Sequence, residues 1–221
     1  TATNTAGTQR IADGTRIVGA IRGRDAIYVW TDNALFVMRF VGAPFTFSFQ
    51  QVGTGCGLIG KNAAVEVDGS AYWMSDNGFF RYTGKLESLA CLVEDYVFDD
   101  LNSTSRNLIN AGLNNLFGEV SWYYCSSGSN LVDRVVTYNY LESILAKKPI
   151  WYTGSLPRTA WEDSSVFNKP HACYYSNTDD VSYDVVGNTD GITIYYEHEI
   201  GTDQVDSGGV ITAITASVLS G

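Results

Sequence analysis

Apolar and polar positions in this chain fall into short β-prone runs separated by turn residues. Residues 26–40 carry an apolar run on each side of Asp32-Asn33. Asp and Asn tolerate the left-handed backbone of a tight turn, so this pattern predicts a β-hairpin. The hairpin recurs at residues 71–82, and the matching residues, each 44 positions apart, are Tyr28 and Tyr72, Asp32 and Asp76, Asn33 and Asn77, and Phe36 and Phe80. A period of roughly 40–50 residues is typical of propeller blades.

The same order of strands and turns continues through four units, which predicts an all-β chain with the fold of a β-propeller. The central strands are apolar on both faces, as expected of a blade packed between two neighbours. We expect about four blades, which form a small propeller or part of a larger one. The predicted blades span residues 17–55, 57–91, 117–161 and 170–200, with an N-terminal arm at 1–16 and a C-terminal exit segment at 201–221.

An insertion at residues 92–116 interrupts the β pattern. Its apolar residues fall on one helical face and its carboxylates lie largely on the other, which predicts a short amphipathic helix. The apolar residues are Leu92, Val93, Tyr96, Val97 and Leu101, and the carboxylates are Glu94, Asp95, Asp99 and Asp100. We expect Leu108, Ile109 and Leu113 to extend a second helical turn.

Composition narrows the classes of function. The formal net charge of −10 opposes tight non-specific binding to DNA phosphates but permits an acidic wall past which a duplex slides. An acidic surface that only maintains solubility is the alternative. No apolar run approaches the roughly 20 residues that a membrane-spanning helix needs. The four cysteines lack a C-x-x-C pair, so buried free thiols are favoured over disulfides or zinc ligands.

The carboxylates offer two candidate sites, and both have a simpler explanation. Glu94, Asp95, Asp99 and Asp100 are candidates for glycoside hydrolysis, but their place opposite an apolar helical face favours a solvated surface. A second acidic group lacks the spacing of a calcium loop, which favours turn formation. Its residues are Asp179, Asp180, Asp184, Asn188 and Asp190.

The histidines and tryptophans give no stronger site. His171 and His198 lie far apart in the sequence and lack metal-ligand spacing. Trp30, Trp73, Trp122 and Trp151 fall inside predicted strands, which favours blade core over sugar stacking, whereas Trp161 is undecided. The sequence therefore predicts no catalytic, cofactor-binding or metal-binding residue, no cofactor and no enzymatic activity.

Several segments, in order, resemble a family of short-tailed phage proteins: the packaged-DNA stabilisation, tail hub or nozzle proteins. The resemblance covers residues 17–201 and is carried by Gly57-Leu58-Ile59-Gly60 and the segments 72–84, 95–102, 117–124, 158–161 and 194–201. It contains no catalytic signature.

The resemblance implies a structural virion protein of the phage tail, assembled in the host cytoplasm. Such a β-propeller forms a ring of identical copies, commonly a hexamer, below the portal and adaptor. It extends or closes the DNA exit channel, retains packaged DNA as cargo without reading its sequence, and docks other tail proteins, with no membrane partner. A carbohydrate-binding or glycoside-hydrolysing propeller and a peptide-binding cellular scaffold are the alternatives.

Overall fold

The computed structural model describes residues 10–43, 45–163, 170–176 and 193–198 of the chain. These residues are mostly β and form four antiparallel sheets, as the all-β prediction requires. The strand predicted at residues 181–186, the exit segment 201–221 and most of the N-terminal arm lie outside the described residues.

Every sheet is a meander in which strands that follow one another in the sequence are also hydrogen-bonded neighbours. The first sheet contains β1 (Ile17–Arg22), β2 (Ile27–Thr31), β3 (Ala34–Phe40) and β4 (Phe47–Thr54). The second contains β5 (Ala64–Val67), β6 (Ser70–Ser75), β7 (Gly78–Tyr82) and β8 (Leu86–Leu89). The third contains β9 (Asn110–Asn114), β10 (Glu119–Tyr124), β11 (Arg134–Asn139) and β12 (Trp151–Gly154). The fourth contains β13 (Ala160–Glu162), β14 (His171–Ser176) and β15 (Thr193–His198).

Within the described residues, three short helices accompany the sheets: α1 (Glu94–Asp100), a 3-10 helix (Ser103–Leu108) and α2 (Tyr140–Ala146). The helix predicted within the insertion is confirmed by α1, but its apolar face is not uniformly buried. Val97 is fully buried, whereas Leu92 is 85% exposed and Tyr96 57% exposed. Periodicity therefore identified the helix without identifying which of its residues are covered.

The two predicted hairpins are present, although the first turn differs from the expected one. Among the described non-glycine residues, positive φ occurs at Asp68 and Lys147, so Asp32-Asn33 turns without the left-handed backbone. Instead, the Thr31 hydroxyl accepts hydrogen bonds from the backbone N–H groups of Asn33 and Ala34, at 3.2 and 2.8 Å. The Ser75 hydroxyl accepts the backbone N–H of Asn77 in the same way. A side-chain oxygen can replace a backbone acceptor in such turns.

Strand β9 occupies the place where the sequence predicted a continued helix, so the third sheet begins at Asn110 rather than Phe117. The expectation for Leu113 was wrong because β9 pairs with all but the last residue of β10, and this distant ladder outweighs a weak helical pattern. Helix α2 was not predicted. Trp161, placed in the third unit by sequence, belongs to β13 of the fourth sheet.

The described contacts divide the chain into two units, residues 1–96 and 97–221. In the first unit, aromatic side chains join the first two sheets. The rings of Trp30 and Trp73 lie edge to face at 5.3 Å, and those of Tyr28 and Tyr82 at 5.6 Å. Both tryptophans are fully buried, and the Trp73 indole N–H donates to the Cys56 carbonyl at 2.8 Å. The two hairpins thus share one core.

The connection between these sheets is part of the same packing. The backbone N–H groups of Cys56 and Leu58 donate to the carbonyls of Asn33 and Thr31, at 3.0 and 3.1 Å. Between them, Gly57 lies so close to the first turn that an added Cβ would be 2.3 Å from the Asp32 carbonyl. Only glycine fits at this close approach of two backbones.

In the second unit, Trp161 packs between the third and fourth sheets. The Trp161 ring stacks on Tyr123 at a centroid distance of 5.7 Å, and its indole N–H donates to the Leu113 carbonyl at 2.7 Å. It also covers Gly112, where an added Cβ would lie 2.7 Å from the ring. Trp161 is therefore part of the packing between sheets.

We predict that Trp73→Ala destabilises the chain by about 3–5 kcal/mol, because it removes a fully buried ring and a buried hydrogen bond. Urea denaturation measures the free energy of unfolding. The control is Tyr96→Ala, which removes an exposed ring and should change stability by less than about 0.5 kcal/mol. Equal stability of the two variants would contradict a core shared by the first two sheets.

We predict that Gly112→Ala destabilises the chain by about 1–3 kcal/mol, because the new methyl group displaces Trp161. Near-ultraviolet circular dichroism should report the displaced indole and thermal unfolding the lost stability. Gly128→Ala is the matched control, since nothing lies within 4 Å of its added Cβ. An unchanged spectrum for Gly112→Ala would show that Trp161 does not pack on β9.

Candidate functional site

A cluster of polar side chains lies where β10, β11 and α2 meet in the second unit. Glu119 and Asn139 are register partners across β10 and β11. The Asn139 amide donates to Glu119 at 3.5 Å and to the Phe117 carbonyl at 3.2 Å, and its oxygen accepts the Glu142 backbone N–H at 2.8 Å. The Tyr152 hydroxyl donates to the Glu142 carboxylate at 2.6 Å. Two carboxylates are thereby held near one buried amide.

Local sequence explains the position of this cluster. Asn139 ends β11 and also caps α2, and residues 139–142 have the spacing of a capping box, with an N-cap side chain and Glu three residues later. This motif is readable in the sequence and would have predicted α2. Glu119 and Tyr152 are distant in sequence, and no local signal points to either.

Electrostatics distinguish the members of the cluster. Burial, with a smaller contribution from the nearby Glu142 charge, raises the pKa of Glu119, and the hydrogen bond from Asn139 partly opposes this. The hydrogen bond to Glu142 raises the pKa of Tyr152 to about 12. A carboxyl group with a raised pKa beside a second carboxylate can hold and release a proton, which is the chemistry of a general acid.

The clefts of the first unit do not include this cluster. One, of about 510 Å³, is lined by Arg22, Arg24, Glu66 and Asp68, with two glycines. A second, of about 460 Å³, is mainly apolar and includes Met38, Phe40 and Phe47 in its lining.

A patch of exposed apolar side chains follows the open edge of the first sheet. We call it the edge patch; it consists of Phe40, Val41, Phe45, Phe47 and Phe49. Phe40 and Phe45 are 72% and 74% exposed, and the rings of Phe40 and Phe47 meet edge to face at 5.9 Å. Among the described strands, β4 pairs with β3 and ends the sheet. Large apolar side chains beside unpaired strand groups are typical of a surface that another chain covers.

The carboxylates predicted on α1 differ in exposure and in hydrogen bonding. Asp95 and Asp99 are exposed. Asp100 accepts hydrogen bonds from Arg134 at 3.2 Å and from the Ser127 hydroxyl at 3.3 Å. No group of three potential metal ligands occurs among the side chains that the structure describes. The calcium candidates at residues 179–190 lie outside the described residues.

The core position predicted for the strand tryptophans is confirmed for three of the four, whereas the sequence predicted no pairing of the histidines. Trp30, Trp73 and Trp122 are fully buried, and Trp151 packs on Tyr138 at 4.8 Å. The histidines, 27 positions apart in the sequence, are register partners: His171 lies opposite His198 across β14 and β15.

Cys56 and Cys125 are buried free cysteines, as predicted, whereas Cys91 is free but only half-buried. Burial is the main cause that raises the pKa of each thiol, to about 11 for Cys91. A raised pKa keeps a thiol protonated and unreactive near neutral pH.

No described helix is both long and apolar enough to cross a bilayer. The chain matches no protein-family model, and a search of curated proteins gives no match.

We predict that Glu119→Gln stabilises the chain near pH 7 and has less effect near about pH 4. The raised pKa of Glu119 means that the folded state holds its proton more tightly than the unfolded state does. The protonated Glu119 carboxyl therefore contributes its full stabilisation below the pKa that glutamate has in the unfolded chain. This contribution is lost as the pH rises through the pKa of Glu119 in the folded state. Thermal unfolding across this range measures the difference between variant and parent.

The control for Glu119→Gln is Glu87→Gln, because the pKa of Glu87 is shifted in the opposite direction. The hydrogen bond from Arg81 lowers the pKa of Glu87, so Glu87→Gln should destabilise the chain near pH 7, with the difference closing as pH falls. If Glu119→Gln followed the same pH trend as Glu87→Gln, the Glu119 carboxyl would not be destabilised by burial.

Proposed function

We propose that this chain is a structural component of a short-tailed phage tail, in which copies form a hub or nozzle ring around the DNA exit channel. The observation that carries the proposal is the repeated meander sheet, with central strands whose aromatic side chains pack on the next sheet within each unit. The order of family-like segments at residues 57–65, 72–84, 117–124 and 194–201 adds the resemblance to tail hub proteins.

The sheets have the properties of propeller blades. Each runs in sequence order from one edge to the other, and in the first three sheets the central strands are more buried than the edge strands; these central strands are β2, β3, β6, β7, β10 and β11. A sheet that is apolar on both faces needs a neighbour on each face, and radial packing of successive blades supplies it. We therefore propose that the four sheets are blades of one propeller.

The proposed work is mechanical. The net charge of −10 repels a DNA duplex, so an acidic channel wall lets packaged DNA pass without adhesion. Retention then comes from closure of the channel by the ring rather than from contacts to DNA. The portal, adaptor and other tail proteins are the proposed partners.

The edge patch supports assembly into a ring. A second copy is its proposed occupant, because a repeated head-to-tail contact between identical chains closes a ring when the rotation permits. Covering Phe45 and Phe47 removes strongly exposed aromatic surface from water, which favours association at roughly 25 cal/mol per Å².

A glycoside hydrolase is the second candidate, and the pair Glu119 and Glu142 is the observation that favours it. Against it, Trp161 is packed on Tyr123 rather than available to stack on a sugar. Release of reducing sugar from a panel of bacterial surface glycans, abolished by Glu119→Gln, would support this candidate over the structural role.

We predict that the purified chain forms rings, at six times the chain mass of 24.2 kDa if the ring is a hexamer. Mass photometry measures the mass and negative-stain electron microscopy the shape. Phe47→Glu should dissociate the ring, because it places a charge in the edge patch. Ser48→Glu, at the next and likewise exposed position of β4, is the matched control and should leave the ring intact.

A monomer at micromolar concentration would contradict the ring, and a ring that survives Phe47→Glu would exclude the edge patch as its interface. Localisation of the chain in a phage particle by electron microscopy tests the virion role directly.

A further inference from the structure

One face of the first sheet carries a row of side chains that the second sheet does not cover. Its members are register partners across all four strands, and they are Arg22, Ile27, Met38 and Phe49. Register partners share a face of the sheet. Tyr28, the residue after Ile27, packs on Tyr82 of the second sheet, and adjacent residues of a strand point to opposite faces. The row therefore points away from the second sheet.

The mainly apolar cleft of about 460 Å³ lies on this face, since Ile27 and Met38 are part of its lining. We call it the sheet cleft. Phe40 and Phe47 of the edge patch also line it, and they are register partners at the end of β3 and the start of β4. The sheet cleft and the edge patch thus form one continuous apolar surface.

Two arginines give the sheet cleft a positive charge, although the chain as a whole has a net charge of −10. Arg22 and Arg24 line it together with one carboxylate, Asp25. The same arginines also line the neighbouring cleft, which contains Glu66 and Asp68. Both arginines are exposed, and neither forms an ion pair with another residue that the structure describes. Their guanidinium groups can therefore bind carboxylates of another chain.

An exposed stripe at helix α1 has the complementary character. We call it the α1 stripe; it consists of Leu92, Asp95, Tyr96 and Asp99. Leu92, in the turn before the helix, is 85% exposed, and Tyr96 is 57% exposed. Asp95 and Asp99 are both exposed and lie one helical turn apart, so they share one side of α1. The stripe thus combines two apolar side chains with two carboxylates.

Charge distinguishes the α1 stripe from the other exposed surfaces that could cover the sheet cleft. Ile144 and Leu145 of α2 are 65% and 83% exposed, but Lys147 and Lys148 follow that helix directly. Docking α2 would bring lysines to the arginines, and like charges across an interface are unfavourable. Docking the sheet cleft on its own copy has the same fault, and such a symmetric contact gives a dimer rather than a ring.

We propose that the α1 stripe of one copy docks in the sheet cleft of the next copy, with its two carboxylates bound to Arg22 and Arg24. This inference rests on the ring proposed above and names the second surface that a head-to-tail contact requires. The apolar members of the stripe cover the apolar floor of the cleft, which removes exposed surface from water. The carboxylate–guanidinium pairs fix the orientation of one copy on the next.

Charge reversal in the full chain tests this pairing, with mass photometry across a dilution series as the readout. Arg24→Glu and Asp99→Arg should each raise the concentration at which the ring dissociates by about 10-fold or more, because each places like charges opposite each other. A chain with both substitutions should recover most of this loss, since the reversed charges attract again. Arg16→Glu is the matched control, because Arg16 is exposed at the opposite end of β1, and it should assemble as the parent does.

The outcomes separate this contact from the ring itself. A parent ring whose stability neither single reversal changes would overturn the docking and leave the ring in place. A doubly reversed chain that assembles no better than the single variants would do the same. A parent chain that stays monomeric would contradict the ring, and the docking with it.

A photochemical cross-link tests the contact with every charge kept. Tyr96→benzoylphenylalanine replaces one exposed ring with a photoreactive one. Irradiation of an equal mixture of nitrogen-14 and nitrogen-15 chains should join residue 96 of one copy to residues 20–27 or 38–47 of another. Mass spectrometry identifies such pairs by their mixed isotopes. Cross-links between copies that lead to residues 140–148 instead, or cross-links within one copy only, would overturn the proposal.

Discussion

The described structure depends on one constraint: the apolar residues of a sheet must be covered, and within each unit the two sheets pack on each other. In the first unit, Trp30 and Trp73 meet across that contact, each with no exposed surface. The Trp73 indole N–H donates a hydrogen bond to the Cys56 carbonyl, which belongs to the connection between the two sheets. Side-chain packing and chain connection therefore specify the same arrangement of the two sheets.

The second unit meets the same constraint with different residues. Trp161 from a three-residue strand covers Gly112 and stacks on Tyr123, so a missing side chain in β9 provides the space that a large ring fills. The residue types at this contact are not those of the first unit.

Polar groups are arranged around these cores, and their positions separate the proposed roles. The cluster of polar side chains around Glu119 forms because Asn139 caps α2. The Glu119 carboxyl group is partly buried where α2 lies near β10. The edge patch lies on a strand whose outer edge the described residues leave uncovered, which suits assembly.

The amino-acid sequence by itself determined the all-β class, the hairpins at Asp32-Asn33 and Asp76-Asn77, and the helix α1, because these depend on periodicity and turn chemistry within a few residues. It misassigned Leu113, since ladder pairing of β9 with β10 outweighs a weak local preference. It missed helix α2 although the capping box at residues 139–142 is a local signal. It also left Leu92 and Tyr96 on a face that the fold does not bury. The partnership of His171 with His198, and that of Glu119 with Asn139, was decided only by the tertiary structure. Strand register is set by contacts between distant residues, which no short stretch of sequence encodes.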